Sequence, residues 1–186
     1  MTTRIQPLLT VADLDLMPED GNRYEIIEGE LFMSRAPGFA HQFIVANIIV
    51  EVRAYLIQNP IGAVVPGPGL IFDDFNGVIP DLLFVSNERR AEIASGERVT
   101  GAPELVVEIL SPGAANERRD RVHKLELYSK YGVKEYWIAN PAERCIEVYE
   151  NDGHGLLRAR TLAGEDELTS SVLTGFRCPL TRIFAI

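Results

Sequence analysis

Apolar residues recur at helical spacing in two segments of the chain. The segment from His41 to Gln58 has them at i, i+4, i+8 and i+11, which predicts a helix with one face in a core. These residues are Ile44, Ile48, Val52 and Tyr55. Pro60 ends this helix, because the residue before a proline is driven out of the helical conformation. The segment from Asn116 to Tyr131 has a second helical pattern, and Gly132 provides its C-terminal stop.

Strands are predicted where short apolar runs lie between turn residues. The runs Asp81–Val85 and Glu104–Leu110 are almost continuously apolar, which is typical of central strands covered on both faces. Tyr24–Glu28 and Glu30–Met33 predict a β-hairpin, with Gly29 free to adopt a positive φ in its turn. Further strands are predicted at Ala63–Val65, Leu70–Phe72, Glu135–Ala139, Cys145–Tyr149, Leu156–Leu162 and the C-terminus. In chain order these elements predict an α/β (α+β) fold with a mixed sheet flanked by helices.

The composition is that of a globular chain with room for one core. The sequence has 186 residues, of which 46% are hydrophobic and 24% are charged. A chain of this length buries about 70% of its unfolded surface, so we expect residues 1–186 to form one domain. The 18 basic and 27 acidic side chains give a net charge of −9, which excludes a generally basic nucleic-acid coat protein. This charge is still compatible with a local basic site on an acidic body.

Cysteine usage and hydropathy predict a cytoplasmic protein. Cys145 and Cys178 are too few for a disulfide framework and cannot by themselves complete a zinc site. The first residues contain no apolar segment followed by a small-residue cleavage site. No stretch of roughly 18 uninterrupted apolar residues occurs, so we expect no transmembrane helix and no membrane partner.

One charged residue occupies an apolar position in a predicted central strand. Glu108 shares a strand face with Val106 and Leu110, because side chains alternate along a strand. A buried carboxylate at such a position is unfavourable unless it is paired with a cation or bound to a metal. The sequence therefore predicts a partner for Glu108.

The helix from Asn116 to Tyr131 also has charges among its apolar positions. Its core-facing stripe is expected to contain Asp120, Lys124, Leu127 and Tyr131. The opposite, solvated side is expected to contain Arg119, His123, Glu126 and Lys130. The stripe therefore brings an acid and a base to the edge of an apolar face.

A third carboxylate, Asp81, opens an apolar strand directly after Pro80. Ligands gather at strand ends in α/β folds, so Asp81, Glu108 and Lys124 form a candidate trio. Two carboxylates can hold Mg²⁺ or Mn²⁺, and such an ion polarises a phosphate and lowers the pKa of a bound water. A lysine nearby can stabilise charge in the transition state. The same three residues are also compatible with a buried ion pair that has no catalytic function.

A set of motifs follows in a fixed order along the chain. They are Tyr24–Leu31, His41, Pro80-Asp81, Pro103–Pro112, Asp120–Lys124, Tyr128 and Gly132–Ile138. Together they resemble the Uma2 family, once a family of unknown function, within the PD-(D/E)XK superfamily of restriction-endonuclease-like folds. The resemblance covers about residues 20 to 150. It implies a mixed-sheet αβββαβ core and a nuclease-type site that uses one or two Mg²⁺ or Mn²⁺ ions.

The resemblance also implies roles for individual residues. Asp81 and Glu108 match the catalytic metal ligands, and Ile109 would add its backbone carbonyl. The superfamily pattern places a lysine two residues after the second acidic residue, where this chain has Leu110. In Uma2-like sequences the lysine lies on the next helix, and Lys124 matches that position.

Three further residues are candidates for accessory roles. Glu28 and His41 match recurrent positions of the family, although a hairpin turn and a helix cap are the alternative interpretations for them. Asp120 precedes Lys124 by four residues and is expected to position it.

Three functions are compatible with these residues. The first is a metal-dependent DNA endonuclease, for which a homodimer would let two sites related by a two-fold axis address both strands. The second is a non-catalytic interaction module that retains the nuclease fold. The third is a hydrolase of small phosphodiesters, for which the net negative charge is harmless.

Overall fold

The computed structural model describes residues 8–94 and 96–185 of the chain. The segment on which the expectation of no cleavable leader rests, residues 1–7, lies outside the described residues. A 3₁₀ helix, Val11–Leu16, follows Thr10. The backbone N–H and the hydroxyl of Thr10 both donate to the carboxylate of Asp13, which caps this helix.

The described residues form strands in three sheets, with α-helices packed around them. The strands are β1 Arg23–Ile27, β2 Glu30–Ser34, β3 Gly62–Pro66, β4 Leu70–Asp73, β5 Asn76–Val78, β6 Leu82–Ser86, β7 Val99–Thr100, β8 Leu105–Ile109, β9 Glu135–Asn140, β10 Cys145–Asn151, β11 Leu156–Ala163, β12 Glu167–Thr169 and β13 Arg177–Pro179. The α-helices are α1 Phe39–Gln58, α2 Asn87–Ile93, α3 Ala114–Arg118, α4 Leu125–Lys130 and α5 Leu180–Ile183. A π-helical segment, Arg119–Lys124, joins α3 to α4.

A six-stranded sheet forms the centre of the protein, in the order β11-β10-β9-β8-β6-β3. β8 and β9 are parallel, and the other neighbours are antiparallel. Both predicted central strands, β6 and β8, lie inside this sheet and are buried along almost their whole length. The helix α1 precedes β3, and the helical residues 114–130 connect β8 to β9. This order is the αβββαβ core that the motifs imply.

A smaller sheet, in the order β2-β1-β5-β4-β7, contains the predicted hairpin. Its turn places Glu28 at φ 51° and Gly29 at φ 78°. Positive φ at both central turn positions matches the right-handed twist of the flanking strands, so the hairpin prediction is confirmed. The sequence pattern does not predict β5 and β7, because strands of 3 and 2 residues are too short for an alternation to show.

An apolar core lies on each face of the six-stranded sheet. Leu82 and Phe84 of β6 belong to the core that includes α1 and the C-terminal segment. Leu83 and Val85 belong to the second core, which includes α4 and residues of the smaller sheet. Successive residues therefore point to opposite faces, as strand geometry requires. Glu108 alternates in the same way and shares its face with the second core.

The helical residues 114–130 do not form a uniform α-helix. In the π-helical segment a residue bonds to the fifth residue rather than to the fourth, so each turn is wider. The prediction that Arg119 lies on the solvated side is therefore wrong. The wider turn puts Arg119 on the same side as Lys124, and Arg119 is 9% exposed. A pattern analysis that assumes a period of 3.6 residues cannot anticipate this change.

The helix α1 closely follows its prediction. It buries Ile44, Ile48 and Val52 against the first core. Among the described residues, it is the one helix that is long and apolar enough to cross a membrane by length and composition. Core helices of soluble proteins pass the same test, so this finding is weak evidence for a membrane span.

Two short helices have no counterpart in the sequence pattern. Ser86 caps α2, because its hydroxyl accepts the N–H of Arg89 at 3.1 Å. α5 follows the predicted C-terminal strand and is held against α1, where the amide of Asn47 donates to the carbonyl of Ile183 at 2.9 Å. Helices of 7 and 4 residues are too short to display a helical period.

Candidate active site

The strands β6 and β8 bring two of the predicted site residues together. The strands are antiparallel, and Leu82 lies opposite Val107. One step further along this register, Asp81 stands opposite Glu108, and residues so paired carry their side chains on one face. The Oδ2 atom of Asp81 also accepts the N–H of Ile109 at 2.9 Å. The sheet therefore holds the two carboxylates as neighbours.

Asp81 is bound by side chains from two other elements. Nη1 of Arg23, on β1, donates to Oδ1 at 3.2 Å, and Nε2 of His41, on α1, lies 3.0 Å from Oδ2. Burial raises the pKa of Asp81, but the hydrogen bond and charge of His41 act against burial. With the N–H of Ile109 and the charge of Lys124, they hold the pKa below its ordinary value. Asp81 is therefore ionised at neutral pH.

Glu108 is enclosed almost completely, at 2% exposure. Its Oε1 accepts hydrogen bonds from Nζ of Lys124 and from the hydroxyl of Tyr128, each at 2.8 Å. Burial raises the pKa of Glu108, the charge of Lys124 lowers it, and the charges of Asp81, Asp120 and Glu25 raise it again, to about 8. We call these residues, together with Arg23 and Arg119, the cluster. The cluster therefore favours either a proton on Glu108 or an additional cation beside it.

Lys124 connects the carboxylates from a fully buried position. Its Nζ lies 2.8 Å from Oε1 of both Glu108 and Glu25, and 4.0 Å from Oδ1 of Asp120. Burial lowers the pKa of Lys124, but the charges of Glu108, Glu25 and Asp120 raise it above its ordinary value. The amine therefore stays protonated. Lys124 therefore reaches Glu108 from the π-helical segment that follows β8, and not from β8 itself.

Glu25, and not Glu28, is the hairpin residue that reaches the cluster. Glu25 is 3% exposed, and its Oε1 accepts the N–H of Ile79 at 2.7 Å. Glu28 lies in the turn, with its side chain 71% exposed and 3.7 Å from Nζ of Lys130. The structure does not bring Glu28 to the other site residues, because the turn directs its side chain into solvent. The signal for Glu25 is the period of two along β1, which puts Glu25 on the face of the buried Ile27.

The π-helical segment contributes a further ion pair. Nε of Arg119 donates to Oδ1 of Asp120 at 2.9 Å and lies 3.7 Å from Oε2 of Glu25. Burial raises the pKa of Asp120, and the charges of Lys124 and Arg119 offset this only in part. Asp120 is thus closer to Arg119 than to Lys124. Its predicted position four residues before Lys124 does bring it to the cluster, but its hydrogen bonds go to Arg119.

The cluster contains one more carboxylate than permanent cations. The carboxylates are Glu25, Asp81, Glu108 and Asp120, and the cations are Arg23, Arg119 and Lys124. Among the described residues, no group of three or more His, Cys, Asp or Glu side chains is arranged to hold a metal ion. Asp81 and Glu108 are nevertheless of the ligand type through which Mg²⁺ binds, since this ion uses one or two carboxylates and keeps several waters. The surplus negative charge attracts a proton to Glu108 and so raises its pKa, and it would attract a divalent cation in the same way.

A pocket of about 420 Å³ lies between the start of α1 and the segment after β8. Its wall includes Phe39, His41, Ser111 and Asn140. His41 thus contacts both this pocket and Asp81. Its Nδ1 atom is buried and has no hydrogen-bond partner in the described part of the chain. His41 is therefore the residue that links this pocket to Asp81.

The basic residues near the π-helical segment are paired with acidic neighbours. Arg121 contacts Glu147 and lies 4.0 Å from Glu117. Arg23 is different, because 31% of its side chain is exposed while its guanidinium touches Asp81. Arg23 is therefore the most accessible cation of the cluster.

Comparisons with known proteins agree with this architecture. The Uma2 family model, described as "Putative restriction endonuclease", matches residues 11–181. A solved crystal structure, that of "a putative nuclease belonging to DUF820" from Anabaena variabilis ATCC 29413, matches with a TM-score of 0.77. The two sequences are 17% identical, and the match covers 95% of this chain and 98% of that chain. No curated protein matches the chain. Likeness at this identity shows the fold, so the predicted nuclease-like mixed-sheet fold is confirmed.

Proposed function

Because this chain belongs to the Uma2 family, we propose that it is a Mg²⁺- or Mn²⁺-dependent endodeoxyribonuclease that hydrolyses phosphodiester bonds. The observation that carries the proposal is Asp81 opposite Glu108, with the ammonium of Lys124 bound to Glu108. Opposed carboxylates and a protonated lysine are the residue types that metal-assisted hydrolysis of a phosphodiester requires.

We propose that Asp81, Glu108 and the backbone carbonyl of Ile109 hold one or two divalent ions. These oxygen ligands suit Mg²⁺ and Mn²⁺ better than softer metals. When bound, such an ion polarises the phosphate and lowers the pKa of the attacking water. A divalent ion also balances the surplus carboxylate of the cluster.

The chain's own residues hold these ligands in position. Arg23 and His41 bind the two oxygens of Asp81, and the N–H of Ile109 adds a third contact. Lys124 binds Glu108 and stays protonated, so it supplies positive charge instead of abstracting a proton. Positive charge that is already oriented stabilises the negative charge that develops on a phosphate during hydrolysis.

DNA is the proposed substrate, and a homodimer is the proposed active assembly. The net charge of −9 repels a polyanion, so attraction has to come from local groups such as Arg23. Two sites related by a two-fold axis would let one assembly address both strands of a duplex.

The test is cleavage of supercoiled and linear DNA by the purified protein at low salt. The reactions contain Mg²⁺, Mn²⁺ or EDTA and compare the wild type with Glu108→Gln, which removes the charge of the side chain and keeps its shape. We expect metal-dependent nicking by the wild type and a loss of about 100-fold or more in Glu108→Gln. The matched control is Glu28→Gln, which changes an exposed glutamate outside the cluster and should retain full activity.

Full activity in Glu108→Gln would overturn the assignment of the site. A second arm uses bis(p-nitrophenyl) phosphate as a small phosphodiester. Hydrolysis of this compound without cleavage of DNA would identify the protein as a hydrolase of small phosphodiesters.

A non-catalytic interaction module is the second candidate, and the enclosure of the carboxylates favours it. Asp81 and Glu108 are 7% and 2% exposed, and both are paired with cations. A structural ion network would look the same. Folded protein that binds no divalent metal in calorimetry and cleaves no substrate would support this second function.

A further inference from the structure

The helix α1 has a continuous apolar face that the described chain leaves uncovered. We call this face the outer stripe, and its residues are Phe39, Phe43, Ala46, Val50, Ala54 and Ile57. Their spacing of i, i+4, i+7, i+11, i+15 and i+18 keeps them on one side of a helix. The side chains of Phe39, Val50 and Ile57 are 77%, 63% and 71% exposed. This side is opposite to the one that buries Ile44, Ile48 and Val52.

Polar residues border the outer stripe on both sides. Gln42 and Arg53 lie along one border, and Asn47, Glu51 and Gln58 lie along the other. The stripe itself contains no charged residue. An apolar centre with a polar rim is the anatomy of a protein–protein interface. A helix that is apolar around most of its circumference is typical of a helix buried on all sides.

We propose that a second copy of this chain covers the outer stripe, with the two α1 helices packed antiparallel about a two-fold axis. The pattern of side-chain sizes is self-complementary about a centre near residue 48. In that arrangement Phe39 faces Ile57 of the other copy, Phe43 faces Ala54, and Ala46 faces Val50. In the two inner pairs a larger side chain thus meets an alanine, in the outer pair Phe39 meets Ile57, and the two-fold axis repeats each contact. A partner of another sequence would have no reason to match this symmetry.

The available area fits a modest but stable dimer. Four of the stripe residues have large side chains, and each can bury roughly 100 Å² of apolar surface. Two copies therefore bury roughly 800 Å² from these side chains alone, and rim residues along a helix of about 30 Å raise the total towards about 1,200 Å². This value lies at the lower limit of specific interfaces.

A lipid surface is less compatible with the residues around the stripe. Helices that lie on membranes have a polar face rich in lysine and arginine. Over its 20 residues, α1 has one basic side chain, Arg53, and one acidic side chain, Glu51. Glu51 is moreover paired with Arg182 of the same chain. The net charge of −9 further opposes binding to anionic lipids.

This interface specifies the homodimer of the proposed function, and its test does not depend on nuclease activity. His41 contributes to the candidate site from the opposite side of the first turn of α1. Phe39 belongs both to the outer stripe and to the wall of the 420 Å³ pocket, so the proposed contact places this pocket of each copy beside the interface.

The first experiment is sedimentation equilibrium of the full chain over about 1–100 µM. We expect the wild type to have twice the chain mass of 20.7 kDa. Val50→Glu places a charge at the centre of the stripe and should weaken the dimer at least 100-fold. Val50 is exposed in the single chain, so circular dichroism and thermal unfolding should show a folded monomer. The matched control is Leu157→Glu on β11, whose side chain is 62% exposed and lies outside α1, and which should remain dimeric.

A second experiment tests the antiparallel orientation by oxidative cross-linking. Ala46→Cys and Val50→Cys chains are oxidised separately and as a mixture, and the mixture should give the higher yield of cross-linked dimer. The native Cys145 and Cys178 are buried and should not contribute. An equal yield in the three samples would overturn the orientation.

Two other results would overturn the interface. One is a wild type that is monomeric at 100 µM, and the other is a Val50→Glu variant that is as dimeric as the wild type. A monomeric wild type that floats with vesicles of neutral lipid would identify a membrane as the occupant instead. A monomeric Val50→Glu variant that still hydrolyses bis(p-nitrophenyl) phosphate would show that the site works without the dimer. Failure of the interface proposal and failure of the nuclease proposal can therefore be told apart.

Discussion

At the level of single residues, the pKa of Glu108 depends on its burial and on the charged side chains that surround it. Burial raises the pKa of Glu108 most, the charge of Lys124 lowers it, and the charges of Asp81, Asp120 and Glu25 raise it again. Burial strengthens each of these interactions because little water remains to screen them. The result is one glutamate whose pKa lies near neutrality beside an aspartate, Asp81, whose pKa is lowered. Two carboxylates with different protonation behaviour are typical of functional sites and also of buried ion networks.

The pKa of Glu108 predicts how stability changes with pH. The pKa is 4.5 in the unfolded chain and about 8 in the folded protein, so the folded state holds the proton more tightly. This contribution to stability is fully present below pH 4.5 and is lost as the pH rises to about 8. Glu108→Gln removes it, so the stability of the variant relative to the wild type should rise through this window, by at most about 1.4 kcal/mol per pH unit.

Urea unfolding without divalent metal, at about pH 5 and about pH 8, measures this change, with Glu28→Gln as the control. A difference between wild type and Glu108→Gln that does not vary with pH would contradict the assignment.

Removal of the lysine should have a larger effect on stability. Lys124→Met leaves both Glu25 and Glu108 without their shared cation, and we expect a loss of about 3–5 kcal/mol in the free energy of unfolding. Adding Glu108→Gln to Lys124→Met should recover part of this loss, since it removes one of the unpaired charges. A double-mutant cycle in urea, with Lys130→Met as an exposed control, should give a coupling energy of about 0.5–3 kcal/mol. Strict additivity of the two substitutions would mean that the pair does not interact.

At the level of elements, five segments contribute to the cluster, and the residue before β6 contributes Asp81. The hairpin strand β1 brings Arg23 and Glu25, α1 brings His41, and β8 brings Glu108. The π-helical segment brings three charges from its six residues, because its wider turn puts Arg119 on the buried side with Asp120 and Lys124. π-helical turns are rare and occur frequently at functional sites. The geometry of the site therefore depends on local departures from regular structure as well as on the sheet.

The hairpin that carries Glu25 should be sensitive to a substitution in its turn. Gly29 has φ 78°, and an added Cβ would lie 2.8 Å from Cβ of Leu8. Gly29→Ala should therefore destabilise the protein by more than the roughly 1–2 kcal/mol that a left-handed backbone costs alone. Gly21→Ala is the matched control, because Gly21 has φ 81° and nothing within 4 Å of an added Cβ. Thermal unfolding should rank Gly29→Ala below Gly21→Ala, and an equal effect of the two would exclude the contact with Leu8.

At the level of the whole molecule, the net charge of −9 repels the proposed substrate, DNA, which is also negatively charged. The cluster holds three cations beside four carboxylates, so attraction to a phosphate would have to come from Arg23, its most accessible cation, and from a bound divalent ion. Salt screens long-range repulsion and also weakens the local attraction to phosphates. In the proposed complex the local contacts would decide binding, because a phosphate in the site would lie much closer to them than to most surface carboxylates.

The rate of DNA cleavage should accordingly fall as salt increases. We expect a decline of about tenfold or more between about 50 and 200 mM NaCl with metal held constant, because binding releases counterions from DNA. Hydrolysis of bis(p-nitrophenyl) phosphate has no such counterion release and should change by less than about twofold. The same salt dependence for both substrates would show that salt acts on the site itself and not on the contact with DNA.

The sequence by itself determined the helices and strands that are long enough to show a periodic pattern of apolar residues. The period of α1, the two apolar central strands and the turn at Gly29 follow from local chemistry, since burial and backbone strain act residue by residue. The same reasoning identified Glu108 as a charge that needs a partner. The strand end and the helical stripe added Asp81, Asp120 and Lys124, and the resemblance to the family added Glu28 and His41 as candidates.

Only the tertiary structure decided which side chains meet. Glu25 and Arg23 lie more than 50 residues before Asp81, and their contacts depend on how the smaller sheet is placed against the larger one. Arg119 lies on the buried side because the π-helical turn interrupts the regular helical spacing at one place. A periodicity averaged over the whole helix does not detect such an interruption. Such contacts join distant parts of the chain, so their energies appear only when the chain is folded. The sequence could therefore predict that a charged site exists, but not all of the residues that compose it.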